Sequence, residues 1–563
     1  MKQIIECVPN YSEGRDRGVI DSIVQAIKEV EGVTLLDVDP GEATNRTVVT
    51  FVGEPAAVTE AAFQGAKKAQ ELIDMRKHHG AHPRSGATDV LPLIPVAGIP
   101  LEECATLARA LAKRLWEELG IPCYCYEAAA FTPERKNLAV CRAGEYEALP
   151  EKLASEDRKP DFGGPYNETV AKAGATNVGA RDFLVAVNFN LNTTSTRRAM
   201  AVAFDVREKG RKAREGGSLT GKLLKDENGN QIWIPGTLKG CKAIGWYIDE
   251  YGIAQVSMNI TDINTTPLHI AYEEVCRAAS ARGLKVTGTE IVGLVPKKVL
   301  MEAGRFYLEK QQRSLGVSEE EIVKIAVKSM SLDDLKPFNP KEKVIEYLMA
   351  TEKKGLAQMT VEGFVRETAS ESPAPGGGSI SACMGAFAAA LATMVANLSS
   401  HKRGWDERWK EFSDVAEKGQ ALLDELLVLI DEDTEAFNRI MDCFSMPKGT
   451  PEEKAARAKA LEDATLHAAE VPLKTMEASL KALPLALEMA QKGNPASASD
   501  AGVAALAAVA GIRGAALNVR INAAGLADKT PAEPLIRRAD EIIAQALTLE
   551  AAVLEAVNRN IDA

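Results

Sequence analysis

Histidine is scarce in this chain, with six among 563 residues. Three of the six crowd into one stretch, Lys77-His78-His79-Gly80-Ala81-His82-Pro83-Arg84-Ser85-Gly86. Cysteine numbers nine and is scattered. No cysteine pair has zinc-ligand spacing, so neither a disulfide framework nor a cysteine zinc site is expected. Cys123 and Cys125 alternate within a strand-like run and read as packing. The odd count and the lack of a leader pattern point to a reducing cytoplasm. Positive charge is also short: 67 Lys and Arg face 79 Asp and Glu, a net charge of −12. That argues against nucleic acid or an anionic membrane as the main partner. Anionic small molecules must then be held by local Lys, Arg or helix N-termini. There is no Gly-Lys-Ser/Thr phosphate loop and no His-Glu-x-x-His zinc helix. The uncharged stretch Ser379 to Ser400 is built of Ala, Gly, Ser and Met, so it reads as a buried, closely packed helix, not a membrane span.

What is present is a globular chain, 46% hydrophobic and 26% charged, long enough for three or four structural units. Over residues 1–181, strand and helix patterns alternate: strands at Gln3–Val8, Val33–Val38, Thr47–Val52, Val90–Val96 and Pro122–Tyr126, helices at Val19–Val30, Val58–Ile73 and Leu107–Leu119. A mixed α/β sandwich with helices on one face of a sheet fits this order. Asp161-Phe162-Gly163-Gly164-Pro165 is a turn-rich break. A second α/β unit follows over 182–330, with strands at Phe183–Leu191, Ala243–Ile248, Ala254–Asn259 and Leu284–Thr289 and a helix at His269–Arg282. The polar run 208–237 reads as a surface loop or hairpin, or more sharply as a lid. Pro337 and Pro340 mark a linker over 331–340. From 341 to 563 strand patterns vanish, leaving an all-α domain of at least five helices.

The helix from Val58 is expected to end with Lys77, His78 and His79 in its last turn and Gly80 beyond it. That explains two of the three clustered histidines. His82, past the stop and pressed into extended backbone by Pro83, is unexplained by local structure and suits proton transfer. A metal reading of His78, His79 and His82 lacks any supporting ligand motif. Asp37 and Asp39 sit at alternating strand positions and share a face, with Asp39 expected at the strand end, although Asp39-Pro40 also reads as a turn. In the second half, a helix over Leu422–Phe444 carries Leu422, Leu426, Leu429, Phe437, Ile440 and Phe444 as one stripe at about 100° per residue. Asp433 falls in the middle of that stripe, while Asp431, Glu432 and Glu435 fall off it. Burial raises a carboxyl pKa and suits a general acid; a buried, hydrogen-bonded Asp is the plainer alternative. Gly376, Gly377, Gly378 and Ser379 lead a glycine-rich turn into a helix N-terminus, either an anion site or a linker. Asp500, and Asn518 with Asn522 at i, i+4, complete the polar candidates, the asparagines reading also as satisfied core groups.

Taken together, these stretches resemble the bifunctional formiminotransferase-cyclodeaminase family of folate enzymes. The resemblance rests on Val8-Pro9-Asn10-Tyr11-Ser12-Glu13-Gly14-Arg15, Thr44-Asn45-Arg46-Thr47-Val48, His82-Pro83-Arg84-Ser85-Gly86-Ala87, Gly245-Trp246-Tyr247, Ala254-Gln255-Val256-Ser257 and Gly293-Leu294-Val295-Pro296. In the second half it rests on Ala374-Pro375-Gly376-Gly377-Gly378-Ser379 and Asp431-Glu432-Asp433-Thr434-Glu435-Ala436-Phe437. It implies two α/β subdomains, ferredoxin-like in character, followed by an all-α cyclodeaminase domain. It implies formimino transfer from N-formimino-L-glutamate to N5 of tetrahydrofolate, then closure to 5,10-methenyltetrahydrofolate with release of ammonia, as in histidine degradation. His82 falls on the family's transferase histidine, as general base and then acid, with Asp39 stabilising an amidinium. Asp433 falls on its cyclodeaminase aspartate. The folate-binding stretch falls on Gly163, Gly164, Pro165, Tyr166, Asn167, Glu168, Thr169, Val170, Ala171 and Lys172. Gly376, Gly377, Gly378, Ser379, Asp500, Asn518 and Asn522 are candidates for binding the second substrate. Tetrahydrofolate, polyglutamylated or not, is the co-substrate; no metal is expected. Small molecules are the partners, in a cytoplasmic homo-oligomer with paired helical domains. Tyr11 stands where the family has Phe. Competing readings are a glutamate formyltransferase fused to a methenyltetrahydrofolate cyclohydrolase-like domain, and a non-catalytic folate-binding protein.

Overall fold

The computed structural model describes residues 3–42, 44–80, 83–217, 221–349 and 355–562. In its first part β1 (Ile4–Cys7) and β2 (Asn10–Tyr11) lie end to end, both pairing with β4 (Arg46–Gly53) on one side and β5 (Thr88–Ala97) on the other. They are interrupted at Val8-Pro9, where proline removes a ladder donor. β3 (Val33–Gly41) is the edge strand beside β4, where its Pro40 leaves an open side without a lost ladder bond. Beyond β5 the sheet is extended in parallel by β7 (Thr176–Ala180) and then β6 (Cys123–Glu127). Helices α1 (Arg17–Lys28), α2 (Pro55–Leu72) and α3 (Leu101–Leu119) belong to this part of the chain. The short helices α4 (Leu138–Cys141), α5 (Leu149–Ala154) and α6 (Glu168–Ala173) follow β6.

Strand period two divides this sheet sharply. Ile5, Cys7, Val49, Phe51, Leu91, Leu93, Cys123, Cys125 and Val178 turn to one face and form a single core with the apolar residues of α1–α3. Cys123 and Cys125 are buried there as free thiols, as the alternation suggested. The intervening residues point to a face that those helices leave open.

The second subdomain runs β8 (Val185–Leu191), α7 (Thr196–Val206), β11 (Cys241–Ile248), β12 (Ile253–Ile260), α8 (Leu268–Ser280) and β13 (Val286–Val292). Its antiparallel sheet has the order β11-β12-β8-β13. The first subdomain places β3-β4-β1-β5 in the same βαββαβ order, so the two are topological copies of one ferredoxin-like unit. Within 208–237 the polar run forms a small hairpin of β9 (Arg211–Lys212) and β10 (Trp233–Ile234).

Two compact units divide the chain, and the passage between them does not fall at 331–340. Helix α9 (Lys297–Lys310) runs through position 302, and from Ala303 the chain, with α10 (Glu319–Ser329), clusters with the helical unit. There the Leu315 amide donates to Ser413 Oγ at 3.0 Å, and Asn397 Nδ2 to the Gly316 carbonyl at 2.8 Å. From Met330 the chain rejoins the α/β unit. The Thr289 amide donates to the Ser331 carbonyl at 3.0 Å, and α11 (Pro340–Lys343) and α12 (Ile345–Met349) follow, the Ile345 amide bonding to the Val295 carbonyl at 3.1 Å. The proline-marked segment is therefore a strap on the second subdomain; backbone pairing, invisible to composition, holds it there.

The helical unit holds α13 (Val361–Thr368), α14 (Gly377–Ser400), α15 (Trp409–Phe444), α16 (Pro451–Lys492), α17 (Ala498–Gly525) and α18 (Glu533–Ile561). Gly377–Ser400 and Pro495–Gly525 are long and apolar enough to cross a membrane, yet more than half of each apolar window is buried inside the unit. Small residues set the spacing. A Cβ on Gly385 would meet Ser479 Oγ at 2.3 Å, and one on Gly419 would meet Thr393 Oγ1 at 2.1 Å.

Helix α2 stops at Leu72, earlier than the periodicity suggested; a separate turn, Met75–Lys77, follows, capped by Asp74. His78 and His79 are thus not in the last turn of α2. His78 is buried and extended.

Tyr11 is 1% exposed, and its hydroxyl has no hydrogen-bond partner among the described residues. An enclosed hydroxyl without a partner destabilises. Tyr11→Phe is expected to raise the unfolding free energy by about 1 kcal/mol in a denaturant titration, with the transferase rate unchanged.

Candidate active sites

The open face of the first sheet and the second subdomain enclose a cleft of about 290 Å³. Glu6, Val8, Asn10, Val48, Thr50, Val90, Pro92 and Tyr126 come from the face opposite the helix core; Ala186, Asn259 and Val292 come from the second sheet. Asp39 joins them through a bulge. Leu35 pairs with Phe51, but after the register shift Asp37 pairs with Thr50 and Asp39 with Val48, so both acids turn to the cleft side. They share a face as expected, although the strand continues to Gly41. Burial raises the Asp37 carboxyl, tempered by Lys343.

Cations stand close by. Arg46 opens β4 and lines the cleft; burial lowers its guanidinium to about 10, against the pull of Asp89 and Asp39. Arg142 bonds Asp89 at 2.5 Å, and Asp89 also accepts the Ser85 amide at 2.9 Å. Asn10 donates to the Val8 carbonyl at 3.0 Å, while its buried Oδ1 has no partner among the described residues. Glu6 is 3% exposed, and its burial raises the carboxyl to about 7, opposed by Arg181 and reinforced by Glu346.

His82 lies outside the described residues, as does Ala81. Their flanks are firmly held. His78 Nε2 lies 2.9 Å from the Asn45 carbonyl, and Arg84 Nε donates to His78 Nδ1 at 3.4 Å. Both contacts suit the neutral ring with its proton on Nε2, and burial lowers the His78 pKa accordingly. Asn45 Nδ2 donates to the His79 carbonyl at 3.0 Å, and Arg84 pairs with Glu147 at 2.7 Å. His78 is thus a latch on the turn before β4, a role a helix-end reading misses. Among the described residues no three of His, Cys, Asp and Glu are grouped to hold a metal ion.

The Gly163–Lys172 stretch does not line the cleft. Gly164 packs on Trp116, Asn167 caps α6 through the Val170 amide at 3.0 Å, and Glu168 pairs with Arg76 at 2.5 Å. Val170 and Ala171 are buried, and Lys172 Nζ donates to the Glu71 carbonyl at 2.9 Å. Gly163, Pro165, Tyr166 and Thr169 are exposed. The stretch is anchored to the ends of α2 and α3, and its Val170 packs with Val90, Tyr124 and Tyr126. Its glycine and polar residues serve that turn and cap; only the resemblance had suggested a ligand.

The helical unit has its own pocket, about 110 Å³, lined by Gly376, Gly377, Gly378, Asp433, Thr434, Phe437, Ile440, Ala468, Asn518 and Asn522 among others. The stripe on α15 changes character at Asp433: Leu422, Leu426 and Leu429 are buried, whereas Phe437 and Phe444 are exposed. Asp433 stands where core gives way to pocket. Its neighbours have structural partners, Asp431 accepting the Leu356 amide at 2.6 Å and Glu432 pairing with Lys474 at 2.7 Å.

Asp433 rests against the N-terminus of α14. A Cβ on Gly378 would meet Asp433 Oδ1 at 2.0 Å, so only glycine admits the carboxyl. Ser379 Oγ lies 3.0 Å from both Asp433 Oδ2 and the Ile430 carbonyl. Burial raises the Asp433 pKa; the Ser379 hydroxyl and then its amide lower it. The ionised carboxylate accepts the Ser379 hydroxyl hydrogen bond. When protonated, Asp433 can donate to Ser379 Oγ while Ser379 turns to Ile430. Asn518 and Asn522 use their Nδ2 groups on the Gly514 and Ala468 carbonyls, at 3.0 and 2.6 Å, leaving Oδ1 as acceptor. Asp500 is not brought in: it lies in the first turn of α17, about 27 Å before Asn518 at helical rise.

One site in a doubled α/β unit and another in a helical bundle define a two-site enzyme of mixed architecture. Comparison with known proteins gives the family. Residues 4–181 match the formiminotransferase domain, N-terminal subdomain; 186–350 match the formiminotransferase domain; 360–541 match formiminotransferase-cyclodeaminase. The chain is 43% identical to the formimidoyltransferase-cyclodeaminase of Mus musculus over 98% of each. It is 41% identical to the glutamate formimidoyltransferase of Streptococcus pyogenes serotype M1, over 55% of this chain and 94% of that one. It is 40% identical to the methenyltetrahydrofolate cyclohydrolase of Methylorubrum extorquens, over 36% of this chain and 98% of that one. The chain belongs to the formiminotransferase-cyclodeaminase family.

Ser379→Ala removes a donor that favours the ionised Asp433. The Asp433 carboxyl is expected to titrate about one pH unit higher in that variant, as loss of a hydrogen bond to a charged group implies. A carboxyl NMR titration of variant and wild type measures it.

Proposed function

We propose that this bifunctional enzyme moves the formimino group of N-formimino-L-glutamate to N5 of tetrahydrofolate at the cleft, then closes the adduct in the helical pocket with release of ammonia. The observation that carries this reading is that one chain holds both sites, each within the stretch that matches its own half of the family. The cleft suits the acceptor: apolar walls flank it, an unpartnered Asn10 Oδ1 awaits a donor, and Arg46 and Arg142 offer cations for carboxylates. Tetrahydrofolate, including its polyglutamylated forms, is the co-substrate, and the chemistry needs no metal.

In the first reaction N5 attacks the amidine carbon and becomes cationic. His82 takes that proton and returns it to the glutamate nitrogen as the old C–N bond breaks. Asp39 stabilises the amidinium charge. In the second reaction N10 attacks the amidinium carbon. Its proton passes through Asp433 to the exocyclic nitrogen, which leaves as ammonia and gives the methenyl cation. A carboxyl that is desolvated yet held by Ser379 can exist in both forms, as this shuttle requires. The activity belongs to histidine degradation, in a cytoplasmic homo-oligomer with paired helical domains.

The half-reactions separate cleanly. His82→Ala is expected to lower formimino transfer by about 10²- to 10⁴-fold and to leave cyclisation of supplied 5-formiminotetrahydrofolate intact. Asp433→Asn is expected to do the reverse. Normal transfer in the first variant, or normal ammonia release in the second, removes that residue from its role. The Methylorubrum cyclohydrolase match favours a second reading for the helical unit, hydrolysis of a methenyl adduct in place of ammonia release. Offering formimino- and formyl-glutamate side by side, with ammonia detection, distinguishes them.

A further inference from the structure

The cleft contains a carboxyl that the mechanism above does not use. Glu6 lies on β1 between Ile5 and Cys7, which belong to the helix core, so its own side chain turns to the open face and lines the cleft. It is 3% exposed, and no described residue gives its carboxyl a hydrogen bond. Facing it are Arg181 after β7 and Glu346 on α12, with Tyr126 on β6 in the same wall; Glu346 is itself engaged by the Lys297 amide at 2.7 Å. The neighbouring strands oppose Glu6 with Val52 and Ile94, which offer no polar side chain.

An enclosed carboxyl without donors is unfavourable unless a ligand supplies them, and paired N–H groups suit it best. Tetrahydrofolate has one such edge: the ring N3–H beside the 2-amino group of its pterin. The carboxylates of glutamate or of folate are repelled by Glu6, so they belong elsewhere in the cleft. Val8, Pro92, Leu294 and Ile345 give this end apolar walls suited to a flat ring. Along β4, Glu6 is opposite Val52, while Asn10 and Asp39 are opposite Val48. Four residues separate the two levels, about 13 Å at strand rise. A bicyclic pterin set with its amino edge at Glu6 directs N5 towards the level of Asn10 and Asp39. We propose that Glu6 is the specificity-determining residue of the transferase site, accepting the N3–H and 2-amino hydrogens of the pterin. The inference rests on the cleft being that site.

The carboxylate is the accepting form, so binding competes with a proton. With Glu6 raised to about 7, the bound state is favoured above that pH and opposed below it. The KM for tetrahydrofolate in wild-type transfer is expected to rise about tenfold from pH 8 to pH 6, as the competent fraction falls. Glu6→Gln, which retains shape and one acceptor, is expected to raise that KM about tenfold at pH 8 and to flatten its pH dependence.

The decisive comparison uses a 2-desamino analogue of tetrahydrofolate as acceptor. Wild-type kcat/KM is expected to drop about 10- to 100-fold with the analogue, and Glu6→Ala to treat the two acceptors nearly alike. If Glu6→Ala discriminates as strongly as wild type, or if Glu6→Gln keeps the wild-type KM and its pH dependence, the assignment is wrong. Leu294→Trp, which fills the cleft, tests the underlying reading separately: unimpaired transfer in that variant overturns the cleft as the site, whatever Glu6 does. Thermal unfolding followed by circular dichroism reports that the α/β unit of each variant is folded, since cyclisation takes place in the other unit.

Discussion

Everything in the α/β unit follows from one constraint: the long helices of the first sheet cover only one of its faces. Residues of one parity bury against α1–α3; on the other face the short helices α4–α6 cover only the end around Val90, Tyr124 and Tyr126, and the remainder is left to the second subdomain. A sheet face rich in Val, Pro and Tyr is not stable against water, so it must be covered. The second βαββαβ unit contributes the cover through Ala186, Asn259 and Val292, and the cleft is the space left where two open faces meet. Polar groups on the covered part of that face, Glu6 and Arg46 among them, are consequently desolvated, while Asp39 on the edge strand stays exposed. Burial is the first cause of the shifts at Glu6, Asp37 and Arg46 alike. The electrostatics of the site are thus a product of the layer architecture, with individual charges such as Arg181 and Asp89 acting as corrections.

The helical unit reaches a comparable result through close approach. Glycine and alanine let helix backbones come near enough that a single hydroxyl, such as Ser479 against Gly385, fills the gap. At Gly378 the same device admits a carboxyl in place of a hydroxyl. The helix terminus then acts on Asp433 in opposition to its burial, which remains the larger effect and holds the carboxyl above its usual range. A side chain at position 378 would drive the carboxyl away and dismantle both effects together.

Much of this was legible from periodicity, and the exceptions have physical causes. Asp433 was found because helical spacing is rigid: one acid among four had the angle of the buried stripe. The strands were legible because alternation survives burial of one face, and the pairing of Cys123 with Cys125 as core residues followed from it. The bulge before Asp37 was not legible, since one extra residue changes parity without leaving a compositional trace. Nor was the function of His78 legible. A histidine after a helical pattern reads as an end residue, whereas its partners Asn45 and Arg84 become neighbours only after β4 and the following loop have folded. The strap from Met330 was read as a linker because prolines signal the absence of helix, not the presence of a docking surface. Glu6 was hidden by its position in a short strand whose open face had no visible purpose until the second sheet was in place.

The two sites therefore pose one chemical requirement and meet it differently. Each must accommodate a nitrogen-rich, proton-shedding group, and each offers a carboxyl whose ionisation burial has made unfavourable. In the cleft, Glu6 has no internal donor, so its cost is offset only when a ligand arrives. In the helical pocket, Asp433 already has Ser379, so it can exchange a proton without waiting for one. An unpartnered carboxyl is suited to selecting a ligand, because the wrong ligand leaves the burial uncompensated. A partnered one is suited to shuttling protons, because both of its forms have somewhere to place their hydrogen bonds. The difference in local construction suits the same functional group to recognition in one half of the chain and to acid–base chemistry in the other.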